Sequence, residues 1–150
     1  LGCLGYADSD GEVVFYRTPT KAHTADTEFD VSSLTQLPRV DIAYAYSGAD
    51  DLVIRSLVDA GVAGIVAAGL GSGGSPRAFM NGLMAAKEAG VKVVIATQTG
   101  NGRIIKNRRF SEQDYLVADN LTPKKARILL MLGLSVTDDP DELQRMMWTY

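Results

Sequence analysis

From residue 39 onward, apolar and polar positions follow each other in a regular order. Val40 to Tyr46 (VDIAYAY) predicts a strand. The segment from about Ala49 to Ala60 then places Val53, Ile54, Leu57 and Val58 on one face of a helix that Gly61 ends. In GIVAAGLGSGGSP, residues 64–76, the run Ile65, Val66, Ala67, Ala68 has no polar interruption, the mark of a strand buried on both faces. Pro76 to Ala89 predicts a second helix, with Phe79, Met80, Leu83 and Met84 on its stripe and Gly90 as its stop. Val91 to Thr97 predicts a third strand and Tyr115 to Ala118 a short fourth. Strands separated by single helices imply right-handed crossovers and a parallel sheet with helices on its faces.

The expected fold class is therefore α/β, a small parallel sheet of the flavodoxin-like kind with about four strands flanked by helices. Two helices close the chain. Thr122 and Pro123 read as N-cap and first position of one, in which Ile128 to Leu132 is apolar nearly all round and so expected to be deeply buried. Asp139, Pro140 and Glu142 read as a capping box opening the other, whose Leu143, Met146, Met147 and Tyr150 share a face.

The residues before 39 follow a different pattern. Gly5 to Arg17 predicts a β-hairpin around the turn formers Asp8, Ser9, Asp10 and Gly11. Thr18 to Pro38 is polar and rich in hydroxyls, with apolar anchors at Phe29, Val31, Leu34 and Leu37, and reads as a linker pinned to a surface at those four points. A lone hairpin is too small to be stable by itself. The expected organisation is thus a hairpin over 1–17 that belongs to an absent N-terminal domain, an interdomain linker over 18–38, and an α/β domain over 39–150. The start on Leu1 rather than methionine fits a segment of a longer protein.

Composition narrows the function classes. With 46% hydrophobic and 22% charged residues and no long apolar run, the chain has the make-up of a soluble globular domain rather than a membrane span. A net charge of -3 gives no electrostatic reason to expect nucleic acid or an anionic membrane as partner, and the cluster Lys106, Arg108, Arg109 is too small to alter that. Cys3 is the single cysteine and His23 the single histidine, so neither an intrachain disulfide nor a multi-histidine metal site is available, and no cofactor or metal is expected.

The chemistry concentrates on the glycine loop. Gly69, Gly71, Gly73 and Gly74, with Ser72 and Ser75, join a parallel strand to a helix for which Ser75 is the expected N-cap and Pro76 the first position. Such a loop sits at the carboxyl edge of the sheet, where N–H and hydroxyl groups meet small or anionic ligands; otherwise it is only a tight connection. Gly69, Gly71 and Gly74 also fit dinucleotide-turn spacing, but the next strand ends Ala96, Thr97, Gln98 without a ribose-binding acid, and Glu88 lies inside the intervening helix. The loop Gln98 to Gln113 follows a parallel strand and is placed to act as a lid. His23 near Thr24, Asp26, Thr27 and Ser32 suggests a triad, yet a linker does not hold one rigidly. Asp50 and Asp51 suit the positive end of a helix dipole better than a carboxylate pair. Nothing supplies a nucleophile with its base.

Several stretches together resemble the C-terminal part of bacterial L-asparaginases and glutaminase-asparaginases, above all the periplasmic type II enzymes. They are LGY and YRTP near the start, KAHTADTEFDVSSLTQLP in the linker, LVDAGVAGIVAAGLGSG at the centre and VADNLTPKKARILLMLGLSVTDDPDELQRMMWTY at the end, so the similarity covers essentially all 150 residues. The resemblance implies hydrolysis of L-asparagine to L-aspartate and ammonia, with L-glutamine as the other candidate substrate. It implies that the threonine nucleophile of a TGGTI-like segment and the threonine, aspartate and lysine of an HGTDT-containing region lie in an N-terminal domain absent here. The chain alone is then expected to be inactive, and the HTADT at His23 to Thr27 matches the family's linker, not its catalytic motif. A homotetramer, located in the periplasm or secreted, or else in the cytoplasm, is implied as well. No catalytic residue is expected in this chain. Ser72, Gly73, Gly74, Ser75 and Asn107 are expected to contact substrate in the neighbouring subunit's site. The family's loop asparagines fall on Ser72 and Gly74, and its loop glutamate near Asn107 to Arg109, where no acid stands; Glu112 lies a few residues on. The rival readings are a non-catalytic small-molecule-binding α/β module whose loop takes a carboxylate, and a nucleotide-binding α/β domain.

Overall fold

The computed structural model describes residues 2–7 and 9–150. Strands β1 (Gly5–Ala7) and β2 (Val13–Phe15) pair antiparallel as the expected hairpin, with Asp10 accepting the Glu12 N–H at 2.9 Å in its turn. The turn former Asp8 lies outside the described residues. Strands β3 (Val40–Tyr44), β4 (Gly64–Gly69), β5 (Lys92–Thr97) and β6 (Leu116–Val117) form one parallel sheet in chain order. The α/β class is borne out.

Because strand order follows chain order and crossovers are right-handed, helices α1 (Leu52–Asp59) and α2 (Arg77–Glu88) fall on the same face. There Ile54, Phe79 and Leu83 bury Ile65, Ala67, Val93 and Ile95. The single turn of helix α3 (Arg108–Ser111) adds Phe110 to this layer. Helices α4 (Pro123–Leu134) and α5 (Pro140–Thr149) cover the opposite face, where Ala126, Leu130, Leu143, Met146 and Met147 meet Val66, Val94, Ala96 and Leu116. β4 is buried at every position, since successive residues face different layers and both layers are apolar.

Several expectations shift. α1 starts at Leu52 rather than Ala49 because Asp50 Oδ1 takes the Leu52 N–H at 3.0 Å, closing a turn ahead of the helix. Val53, Met84 and Ile128, each expected on an apolar face, are about half exposed; the helices rest on the sheet along narrower stripes than the spacing suggested, and Leu129 and Leu130 bury where Ile128 does not. Thr122 Oγ1 caps α4 as expected, accepting the Lys125 N–H at 3.5 Å, with Pro123 in the first turn. Asp139 caps α5 through the N–H groups of Asp141 and Glu142, but Glu142 turns to Arg145 at 2.8 Å, so only half of the capping box forms.

The segment from Thr18 to Pro38 is attached mainly by polar contacts. Glu28 accepts from Arg145 Nη2 at 2.8 Å through both oxygens and from the Tyr150 hydroxyl at 2.8 Å, while Phe29 and Tyr150 meet with ring centroids 5.1 Å apart. Lys21 Nζ donates to the Met147 carbonyl at 3.2 Å and pairs with Asp119 at 3.3 Å. Of the four expected apolar anchors, Phe29, Leu34 and Leu37 are half-buried and Val31 is exposed; its place is taken by the Glu28–Arg145–Tyr150 group. That group holds the Glu28 carboxyl below the usual range, chiefly through the Arg145 hydrogen bond and then the Tyr150 one.

At the sheet's β6 edge, the buried Gln144 of α5 accepts the Val117 N–H at 2.9 Å and donates to the Val117 carbonyl at 3.0 Å. One side-chain amide thus gives β6 the pair of bonds that a fifth strand would.

Candidate functional site

The carboxyl ends of β3, β4 and β5 carry three features: a turn over residues 46–49, the glycine loop, and the Thr97–Thr99 segment. β4 ends at Gly69, in register with Thr97 of β5. Leu70 and Gly74 then exchange both backbone hydrogen bonds, at 2.7 and 2.8 Å, which closes a three-residue loop of Gly71, Ser72 and Gly73. Ser72 is exposed at the tip, and Ser75 is half-buried beside α2. Gly73 forms the underside at φ +88°, where an added Cβ would stand 2.6 Å from Ile95 Cγ2 and 3.1 Å from Phe110 Cζ. Only glycine fits both that backbone conformation and that space.

This geometry changes two details of the sequence reading. The Gly74 N–H is committed to the Leu70 carbonyl, so it does not face a ligand. Ser75 is not the N-cap of α2; Pro76 is, with ψ 151°, its carbonyl accepting the Met80 N–H at 3.0 Å and no side chain capping. Ser75 lies one residue too early to reach the first amides of a helix that starts at Arg77. Among the described residues, neither the Ser72 nor the Ser75 hydroxyl has a hydrogen-bond partner within the chain.

Phe110 brings α3 against the loop. Asn107 caps α3, its Oδ1 accepting the Phe110 N–H at 3.2 Å, and its own side chain is exposed. Asn107 therefore stands next to the glycine loop through Phe110, with its carbonyl oxygen occupied by the cap. Glu112 pairs with Arg108 at 2.6 Å, on the far side of the same turn of helix. The segment expected as a long polar loop is ordered by α3 and by the backbone pair of Ile104 with Asp119.

Other candidates fall apart in space. His23 is exposed, with Nδ1 3.2 Å from Thr24 Oγ1 in a 3-10 turn over Thr24–Asp26. Asp51 pairs with Arg55 at 3.2 Å, one turn along α1. Glu88 ends α2, at the opposite edge of the sheet from the glycine loop, so it does not complete a dinucleotide site. Among the described residues, no three His, Cys, Asp or Glu side chains are grouped to hold a metal, and no helix is long and apolar enough to cross a membrane.

Two polar features had no sequence signal. Gln98 Nε2 donates to the carbonyls of Ala45 at 2.7 Å and Ala68 at 3.2 Å. Tyr115 is fully buried with no partner for its hydroxyl, and burial pushes its phenol up to about 12; it lies beside a cleft of about 220 Å³ lined also by Lys87, Glu88 and Glu112. A glutamine after a β-branched strand and a tyrosine before one look ordinary in a sequence.

A parallel sheet with helices on both faces, whose carboxyl edge carries a closed glycine loop, defines an α/β domain of the kind whose strand ends commonly hold small ligands. The chain belongs to the glutaminase/asparaginase C-terminal domain family, whose model matches residues 39–147. It is 43% identical over 144 residues to L-asparaginase 2 of Bacillus subtilis (strain 168), covering 96% of this chain and 38% of that protein. It is 39% identical to L-asparaginase 2 of Escherichia coli (strain K12), covering 99% of this chain and 43% of that protein. The crystal structure described as "Probable Cytoplasmic L-asparaginase from Campylobacter jejuni" superposes with a TM-score of 0.92 at 38% identity, over 98% of this chain and 47% of that one. The chain thus spans about two fifths of the length of these curated relatives.

Proposed function

We propose that this chain is the C-terminal part of an L-asparaginase of the type II kind, supplying substrate contacts and subunit interface to an active site whose nucleophile stands elsewhere. The observation that carries the reading is the family match over residues 39–147, together with a glycine loop closed by Leu70 and Gly74 that leaves two serine hydroxyls unpartnered. In this reading residues 1–17 complete an N-terminal domain and residues 18–38 join the two domains. The assembled enzyme is a homotetramer of the periplasm or the cell exterior.

The chemistry follows from those parts. A threonine of the N-terminal domain attacks the carbon of the substrate's side-chain amide. The C–N bond breaks, and the nitrogen leaves as ammonia after taking a proton. Water then cleaves the acyl ester and releases L-aspartate. The work of this chain is orientation: Ser72, Gly73 and Ser75 present hydroxyl and N–H groups to the substrate's carboxylate or amide, and Asn107 offers its amide nitrogen from the neighbouring turn. Gly74 contributes by holding the loop shut rather than by donating.

The test compares the 150-residue chain with the same chain extended upstream to include both threonine motifs, in an ammonia-release assay on L-asparagine and L-glutamine. Activity is expected from the extended protein only, with light scattering reporting a tetramer. Ammonia release that scales with the short chain through repurification would overturn the reading, as would an extended protein inert toward both amides.

A further inference from the structure

Three strands end within reach of one side chain. Gln98 follows β5, and its backbone N–H donates to the Gly69 carbonyl at 3.0 Å. Its side-chain Nε2 donates to Ala68 of β4 at 3.2 Å and to Ala45, just beyond β3, at 2.7 Å. Ala45 in turn donates its N–H to Ala68 at 3.0 Å. One amide nitrogen therefore donates to a carbonyl of β4 and to that of the residue following β3. The reverse amide orientation would place an oxygen against two oxygens, so the network fixes which way the amide points.

These contacts sit where the chain leaves the sheet. The next residue after Gly69 is Leu70, which closes the glycine loop with Gly74, and after Ala45 come the residues of the turn in which Ala49 donates to the Tyr46 carbonyl at 3.0 Å. At the end of a parallel strand a carbonyl can lose its ladder partner; here the Ala45 carbonyl has no backbone donor among the described residues, while that of Ala68 already takes the Ala45 N–H, and the loops that leave both points are free to splay. A donor fork across those carbonyls holds both loop roots at one spacing.

We infer that Gln98 is a positioning residue for substrate binding: it acts on the ligand through the glycine loop, by bracing the ends of β3 and β4 against β5. This rests on the proposed asparaginase reading for its kinetic consequence, though not for its structural one. The residue needed is a donor without a competing charge of the wrong sign. Arginine meets that requirement, whereas methionine of similar length does not.

The experiment uses the complete enzyme with Gln98→Met and Gln98→Arg. Amide hydrogen exchange is followed in peptides spanning residues 45–50 and 69–75, with residues 93–96 of β5 as internal reference, and KM and kcat are measured on L-asparagine. Gln98→Met is expected to speed exchange roughly tenfold in the two loop-root peptides and leave the reference unchanged, as expected for local rather than global opening. It is expected to raise KM roughly fivefold with kcat within about twofold, the pattern of lost uniform binding. Gln98→Arg is expected to restore exchange and KM to within about twofold of the parent. The inference is overturned if Gln98→Met leaves both peptides unchanged, if the β5 reference accelerates equally, or if Gln98→Arg behaves like Gln98→Met. Should the parent enzyme fail to hydrolyse asparagine, the functional reading falls and the exchange data alone decide the role of Gln98.

Discussion

Gly73→Ala tests whether the glycine loop is built to one shape. The added Cβ meets Ile95 Cγ2 at 2.6 Å and Phe110 Cζ at 3.1 Å, and both neighbours are buried, with Ile95 on the inner strand β5. Overpacking of this kind costs about 1–3 kcal/mol. The φ of +88° adds about 1–2 kcal/mol for an L-residue. The total is about 2–5 kcal/mol, a large share of a domain's stability. Gly71→Ala is the control: φ is +52°, and nothing lies within 4 Å of its Cβ, so only the conformational part, about 1 kcal/mol, is expected. Urea unfolding followed by circular dichroism measures both. A double-mutant cycle with Ile95→Ala then isolates the contact, because deleting the opposing methyl should recover about 1–3 kcal/mol of the Gly73→Ala loss. If Gly73→Ala costs no more than Gly71→Ala, or the cycle shows no coupling, the loop is not wedged against β5 and the packing argument is wrong.

Two further substitutions probe the polar fastenings. Gln144→Leu leaves the Val117 N–H and carbonyl unpaired in a buried place and should cost about 2–5 kcal/mol in urea unfolding; a loss under about 1 kcal/mol would show that water replaces the amide. Glu28→Gln addresses pH. Its carboxyl is lowered in the folded protein, chiefly by Arg145, so its stabilisation is fully present above the ordinary glutamate value of about 4.3 and is lost as pH falls through the lower folded value. The Tm gap between parent and Glu28→Gln should therefore be open at pH 7 and close on acidification below about pH 4; a gap independent of pH would contradict the linkage.

The layers of this fold were legible because apolar residues carry them. The unbroken run in β4 signalled a strand buried on both faces, and the Thr-Pro and Asp-Pro pairs marked the starts of α4 and α5. Helix stripes were legible only in part: Val53, Met84 and Ile128 kept the helical period yet face outward, since the period identifies a helix and not the width of its contact. The place of the candidate site was legible from its glycines, but its workings were not. Which N–H groups remain available depends on the pairing of Leu70 with Gly74, and α3 is a four-residue turn, too short to have a period. Gln98 and Gln144 were invisible for a common reason. Each makes its bonds to backbone carbonyls or amides far away in the chain, and backbone partners leave no trace in residue identity.

The amide of Gln144 also bears on how the chain reaches this structure. It sits 27 residues beyond Val117, so β6 is synthesised well before the group that finishes its edge. In the interval Val117 presents an N–H and a carbonyl side by side to any extended segment, its own chain's or another's, and such open edges add strands readily. Docking of α5 ends that exposure with a single side chain that mimics a peptide unit but cannot itself be extended by a further strand. The helix is thus a terminator for the β6 edge: once seated, it stops lateral growth on that side of the sheet, and there the crowding of nascent chains matters only while it is unseated.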